Sequence, residues 1–179
     1  MAVRKTIQAG NPVIRAKAQK IKLPLDKTTR RVIADLIDTM RSAGLVGIAA
    51  PQIGNGFRMF VVEVKKNNPR KASPVPLQIF INPEIIETSK KQISDWEGCG
   101  SVANSNLFAK VMRPEKVTVR AFDQNGEKFE LETSGLLARI IQHENDHLNG
   151  ILFTDKADLS TVMSREEYLK MRKLESKKK

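Results

Sequence analysis

At 179 residues, 40% hydrophobic and 28% charged, the chain has the size and composition of one globular domain with a substantial core. No apolar run nears the roughly 20 residues of a membrane span, and Met1–Lys20 lacks the apolar segment of a secretory signal, so neither class is expected. One cysteine excludes an intramolecular disulfide and fits a reducing, cytoplasmic setting. The net charge of +11 points to a solvated basic surface or a polyanionic partner. With one Trp, one Tyr and no nucleic-acid motif, sequence-specific nucleic-acid binding is not expected.

In chain order, the first helical pattern covers about Asp26–Ala43. Val32, Ile33, Leu36, Ile37 and Met40 recur there at three- and four-residue spacing, and Gly44 stands at the C-terminal cap. Phe57–Val64, Leu77–Ile81 and Val117–Phe122 are apolar, β-branched strand candidates, and the proline-rich Lys65–Pro76 reads as an exposed loop. Asp123-Gln124-Asn125-Gly126 predicts a turn from Val117–Phe122 into Lys128–Glu132, hence a hairpin. A second helix begins at an N-cap Thr133 or Ser134 and stops at Gly150. A third covers about Ser164–Leu174 before the lysine tail. Helices at both ends of a block of strands predict an α+β fold: antiparallel strands packed around a central helix, with an N-terminal and a C-terminal helix. Residues 1–163 form the expected catalytic domain, and 164–179 a basic helix and tail.

That central helix carries His143-Glu144-Asn145-Asp146-His147, the chain's only two histidines. Four residues advance a helix by about 400°, so both imidazoles project from one face, one turn apart, and can bind one metal ion. Leu136 and Ile140 precede them on the same stripe, which places the pair on the core side. Buried imidazoles need partners; a hydrogen-bonded core pair is the alternative to a metal. A third protein ligand could lie downstream, at Glu166 or Glu167, as in many zinc peptidases. It could also be Cys99 in Glu97-Gly98-Cys99-Gly100-Ser101, where flanking glycines permit close approach and a thiolate is the stronger donor to late first-row metals. Two His and one Cys leave a fourth position open for catalysis. A third segment, Gly44–Gln52, combines small residues with an amide donor, Gln52.

Taken together and in order, Gly47–Gln52, Glu97–Ser101 and Gln142–His147 resemble the three motifs of the peptide deformylases. The resemblance runs from about Gln8 to Leu159 and includes Gly10–Val13, Arg113 and Gly135–Arg139. It therefore takes the basic N-terminus, which loosely imitates a transit peptide, into the enzyme domain. It implies removal of the formyl group from formyl-methionyl nascent peptides, with release of formate. It further implies one divalent metal, Fe²⁺ first with Zn²⁺, Ni²⁺ or Co²⁺ possible, held by Cys99, His143 and His147. In that scheme the metal polarises the formyl oxygen and activates water, and Glu144 takes the water proton and passes it to the amine. The Gln52 amide and the Gly100 N–H stabilise the oxyanion. Val46, Gly47, Leu136 and Ile140 line a methionine pocket, and Asp146 pairs with Arg113 behind the ligands. Some members use a basic C-terminal extension to dock on the ribosome.

Two positions depart from the family pattern. Gly100 replaces the usual Leu after the cysteine, and Ala103 replaces the usual Pro, followed by Asn104-Ser105-Asn106. Glycine keeps its N–H but loosens it. These departures sustain a second reading, a non-catalytic or altered-specificity relative that binds peptide or ribosome. A third reading, a His-Glu-x-x-His metallopeptidase, requires the downstream ligand.

Overall fold

The computed structural model describes residues 2–66 and 73–177. A short helix α1 (Pro12–Arg15) is followed by α2 (Lys27–Ser42), then strands β1 (Gly47–Ala49), β2 (Met59–Val64), β3 (Val75–Thr88) and β4 (Gln92–Gly98). β5 (Leu107–Pro114), β6 (Lys116–Phe122), β7 (Lys128–Ser134), helix α3 (Gly135–Leu148), β8 (Ala157–Ser164) and α4 (Arg165–Lys177) complete the order. The strands form a five-stranded antiparallel sheet, β1-β2-β3-β6-β7, and a three-stranded antiparallel sheet, β4-β5-β8. Helix α3 packs on the larger sheet and touches β5 of the smaller one, so the α+β architecture around a central helix is as expected. Among the described residues, no helix is long and apolar enough to cross a membrane.

The apolar run of β2 has a two-sided explanation. Phe60, Val62 and Val64 face α3, where they pack with Phe80, Val117 and Val119 of the sheet and Ile141 of the helix. Met59 and Val61 face the opposite way, into a second cluster with Ile33, Leu36 and Met40 of α2. A strand covered on both faces needs no polar alternation. Stacked rings of Phe60 and Phe80, 4.6 Å between centroids, sit in the first cluster. A third cluster, with Ile14, Cys99, Val102, Val111, Leu152 and Phe153, underlies the smaller sheet.

The helix signals hold with small shifts. Asp26 caps α2 by accepting a 2.7 Å hydrogen bond from the Thr29 N–H. Gly44 follows in the left-handed region at φ 64°. Ser134 precedes α3 in an extended conformation, but its side chain makes no capping hydrogen bond. Pro76 belongs to β3, and residues 67–72 of the expected loop lie outside those described. Four strands escaped prediction: β1, β4, β5 and β8. On β5 the inward positions are Ala109, Val111 and Arg113, so a charge interrupts the apolar alternation. On β8, an edge strand, most side chains are exposed.

Gly150 ends the α3 segment at φ 73°, and a Cβ there would lie 2.2 Å from the carbonyl oxygen of Arg15. Gly150→Ala therefore costs about 2 kcal/mol of folding stability, combining a left-handed alanine with a displaced backbone. Urea unfolding checks it, and an unchanged midpoint would contradict the close approach.

Candidate metal and catalytic site

Cys99 lies just beyond the end of β4, and His143 and His147 stand on consecutive turns of α3. Their ligand atoms all fall within 4.8 Å of one another, with Cys99 Sγ 3.2 Å from His147 Nε2. All three are buried or nearly so. Glu166 and Glu167 are exposed on α4, where both pair with Lys170, so neither joins the cluster. The downstream-ligand expectation thus has no support in the geometry.

His143 Nδ1 is 2.9 Å from Glu97 Oε2, which fixes the ring and turns Nε2 to the cluster. Glu97 in turn accepts from Arg113 Nε and Nη2, at 2.6 and 2.9 Å, and from Arg139 Nη1 at 2.7 Å. Burial alone would raise the Glu97 carboxyl, yet the bonds from Arg113 and His143 hold it well below the usual carboxylate range. Arg113 also donates to Asp146 at 2.8 Å, and Lys156 reaches the same carboxylate. The expected Arg113–Asp146 contact is therefore a buried ion pair within a larger network.

Gln52 is positioned by its other end. Its Oε1 accepts from the Ala49 N–H at 2.8 Å, so the amide must present Nε2 to Cys99 Sγ (3.5 Å) and Ser101 Oγ (3.4 Å). The cysteine sulfur also accepts from the Ser101 N–H at 3.3 Å. Glu144 is buried beside Gly47, whose missing side chain is essential: a Cβ there would sit 2.7 Å from both Glu144 Oε1 and Ile140 Cγ2. Loss of water pushes the Glu144 carboxyl up to about 7.

Among the described residues, Glu144 Oε2 and His147 Nδ1 are buried side-chain atoms without a hydrogen-bond partner. Burial, helped by the Arg113 guanidinium, lowers the basicity of His147, and a neutral imidazole is the form that binds a cation. Two imidazoles and a thiol converging at this spacing fit a single divalent ion of the late first row. Val46, Gly47, Gln52, Gly100, Leu136, Ile140 and Glu144 line one cavity beside that cluster. Every residue expected in the site is thus gathered at one place.

Glu97 and Arg139 were assigned no role from the sequence. Arg139 also donates to the carbonyls of Val111 (2.9 Å) and Ile93 (2.7 Å), which clips α3 to the smaller sheet. Its one legible signal is a charge inside the apolar run Leu136–Ile141. Arg139→Met leaves these carbonyls unpaired and strips one partner from Glu97. We expect a loss of about 3 kcal/mol of stability and metal affinity weakened about 10- to 100-fold. Thermal unfolding and metal titration read the two effects separately.

The geometry has counterparts in known proteins. The family model for polypeptide deformylase matches residues 3–162. A peptide deformylase from Thermomicrobium roseum is 42% identical over 163 residues, covering 90% of each chain. A Met-Ala-Ser-bound class I type b peptide deformylase from Acinetobacter baumannii superposes with a TM-score of 0.81 at 33% identity, covering 87% of this chain and 98% of that one. A peptide deformylase from Legionella pneumophila gives a TM-score of 0.78 at 33% identity and covers 99% of this chain and 96% of that one. The match spans both histidines, the cysteine and most of the fold, and the chain belongs to the polypeptide deformylase family.

Proposed function

We propose that the protein is a metal-dependent hydrolase that removes the formyl group from the N-terminal formyl-methionine of nascent proteins and releases formate. The observation that supports it most is the convergence of three ligand atoms, a buried carboxyl and an oriented amide on one cavity. Cys99, His143 and His147 hold the metal. When bound, the divalent ion supplies Lewis-acid activation of water and of the formyl oxygen. Glu144, buried with one oxygen unpaired, accepts the proton of the attacking water and delivers it to the amine nitrogen as the C–N bond breaks. Gln52 Nε2 and the Gly100 N–H stabilise the charge that develops on the formyl oxygen. Val46, Gly47, Leu136 and Ile140 enclose the methionine side chain, where Gly47 leaves room for Glu144 and Ile140.

Fe²⁺ is the native metal in this reading, with Zn²⁺, Ni²⁺ or Co²⁺ able to replace it. A thiolate ligand to Fe²⁺ is sensitive to oxidation, which favours a reducing cytoplasm. The basic α4 offers a contact to the polyanionic ribosome. Arg165, Lys170 and Arg172 supply positive charge on this helix, the latter two shared with its glutamates. Deleting Ser164–Lys179 is expected to abolish co-sedimentation with ribosomes, and unchanged co-sedimentation would exclude the contact.

The test is formate release from a formyl-methionyl tripeptide by protein purified without oxygen and loaded with Fe²⁺ or Ni²⁺. Turnover supports the hydrolase. No turnover by fully metallated protein favours the non-catalytic relative, with Gly100→Leu as the next variant.

A further inference from the structure

The two departures from the family pattern, Gly100 and Ala103, meet at one side chain, Gln8. Glycine after a ligand cysteine leaves the peptides on either side of it free to turn, because no Cβ restricts them. Here both peptides are pinned. The Cys99 carbonyl accepts from the Val102 N–H at 3.1 Å and from the Ser105 N–H at 3.2 Å. The Gly100 carbonyl accepts from Gln8 Nε2 at 2.8 Å. A peptide group is planar and trans, so holding its carbonyl also fixes the N–H that points the opposite way. For the first peptide that is the Gly100 N–H, the oxyanion donor. For the second it is the Ser101 N–H, which donates to Cys99 Sγ at 3.3 Å.

The Ser105 bond depends on the second departure. Ala103, Asn104 and Ser105 follow one another at φ 48°, 50° and 63°, a left-handed run that returns the chain to the Cys99 carbonyl. Proline, locked near φ −65°, cannot take the first of these places. Residues with a Cβ adopt such backbone only at a cost, and the turn is held from outside by Gln8, whose Oε1 accepts from the Asn104 N–H at 3.0 Å. One carboxamide thus reaches the Gly100 N–H by two routes, through the Gly100 carbonyl and through the turn. Gln8 is itself carried on a backbone strap. The Ile7 N–H donates to the Gln52 carbonyl at 2.8 Å, and the Ala9 N–H to the Ser101 carbonyl at 2.7 Å. The strap therefore ties together the two segments that supply the oxyanion donors.

We propose that Gln8 is a positioning residue for the reaction: its side-chain amide holds the Gly100 N–H in its donor orientation and supplies the rigidity that position 100 lacks. This rests on the deformylase reading above. Gln8 does not line the small cavity, so it acts through the backbone of Gly100. Misplacing a catalytic group by about 1 Å costs about two orders of magnitude in rate. The cost falls on the transition state, where the oxyanion forms, and not on peptide binding.

The experiment compares the parent, Gln8→Ala, Gly100→Ala and the double variant, all loaded with Ni²⁺. Gly100 is outside the left-handed region, and a Cβ there meets only the ends of side chains, Leu45 Cδ1 at 3.2 Å and Thr6 Cγ2 at 3.7 Å. Alanine therefore fits and stiffens the backbone. With a formyl-methionyl tripeptide, Gln8→Ala lowers kcat about 10- to 100-fold and leaves KM within about twofold. In the Gly100→Ala background the same change costs about threefold or less, since the two residues are coupled. Gln8→Glu keeps the acceptor for Asn104 but has no donor for the Gly100 carbonyl, and it reproduces the loss if Gln8→Ala folds poorly. Amide exchange by NMR gives a measure that needs no turnover. The Ser101 and Ser105 amides exchange about tenfold faster in Gln8→Ala, while that of Ile141 in α3 keeps its parental rate. An unchanged kcat, equal losses in the two backgrounds, unchanged exchange at both serines, or equal quickening at Ile141 each overturn the assignment. Faster exchange at the two serines alone, in metal-loaded protein that releases no formate, upholds the clamp and overturns only the deformylase reading.

Discussion

Glu144→Gln lowers kcat for formate release by about 10²- to 10⁴-fold, the range for loss of a positioned acid–base group. The variant keeps its metal and its affinity for formyl-methionyl peptide. The isosteric amide keeps the side-chain volume beside Gly47 and Ile140, so the cavity neither collapses nor fills. What it loses is a carboxyl with a buried, unpaired oxygen, placed one residue from a ligand and raised to about 7 by burial. An amide cannot hold and release that proton. Single-turnover kinetics with metal analysis checks the prediction. A variant that retains more than a tenth of parental kcat would mean that another group moves the proton.

The second large effect is at Cys99. Cys99→Ala leaves two imidazoles for the ion, and bound metal after gel filtration falls from about one ion per chain to under a tenth, since a divalent ion with borderline-soft preferences needs the third strong donor. Metal binding to the folded state adds stability by mass action. A chelator therefore lowers the melting temperature of the parent while leaving that of the variant unchanged. If Cys99→Ala bound metal as well as the parent, a downstream carboxylate would have to be the ligand. Glu166 and Glu167, exposed and bonded to Lys170, are badly placed for that.

Both effects concern residues that were visible before any fold was known, and for a local reason. His143, Glu144 and His147 lie on one helix, whose period alone sets their relative directions. The amphipathic pattern of α2, the Asp26 cap, Gly44 and the Asp123–Gly126 turn are also short-range properties. Cys99 and Gln52 were candidates from their own chemistry and glycine-rich surroundings, but only the motif resemblance joined them to the histidines, because nothing local says that β4 and the segment after β1 end at the same point as α3.

The partners behind the ligands were not legible at all. Glu97 was named only as part of a motif, and the sequence does not say that it would meet Arg113, Arg139 and His143 from three different segments. Similarly, residues 164–179 read as a basic helix and lysine tail with no stated contact to the rest. Tyr168 instead stacks on Phe108 and is buried to 7% exposure. The departures at Gly100 and Ala103 looked like losses from a motif; Gly100 instead lines a groove, and Ala103 opens a left-handed turn at φ 48° that a proline could not adopt.

By itself, then, the sequence determined the helices, the turns, the paired histidines with their glutamate and, through three ordered motifs, the family. These depend on helical period, capping and residue chemistry within a few positions of one another. Only the tertiary structure decided which carboxylate orients His143, which end of Gln52 faces the sulfur, and what the C-terminal helix covers. Those outcomes depend on sheet pairing between segments far apart in the chain, and pairing is set by the packing of the whole core, which no local stretch encodes.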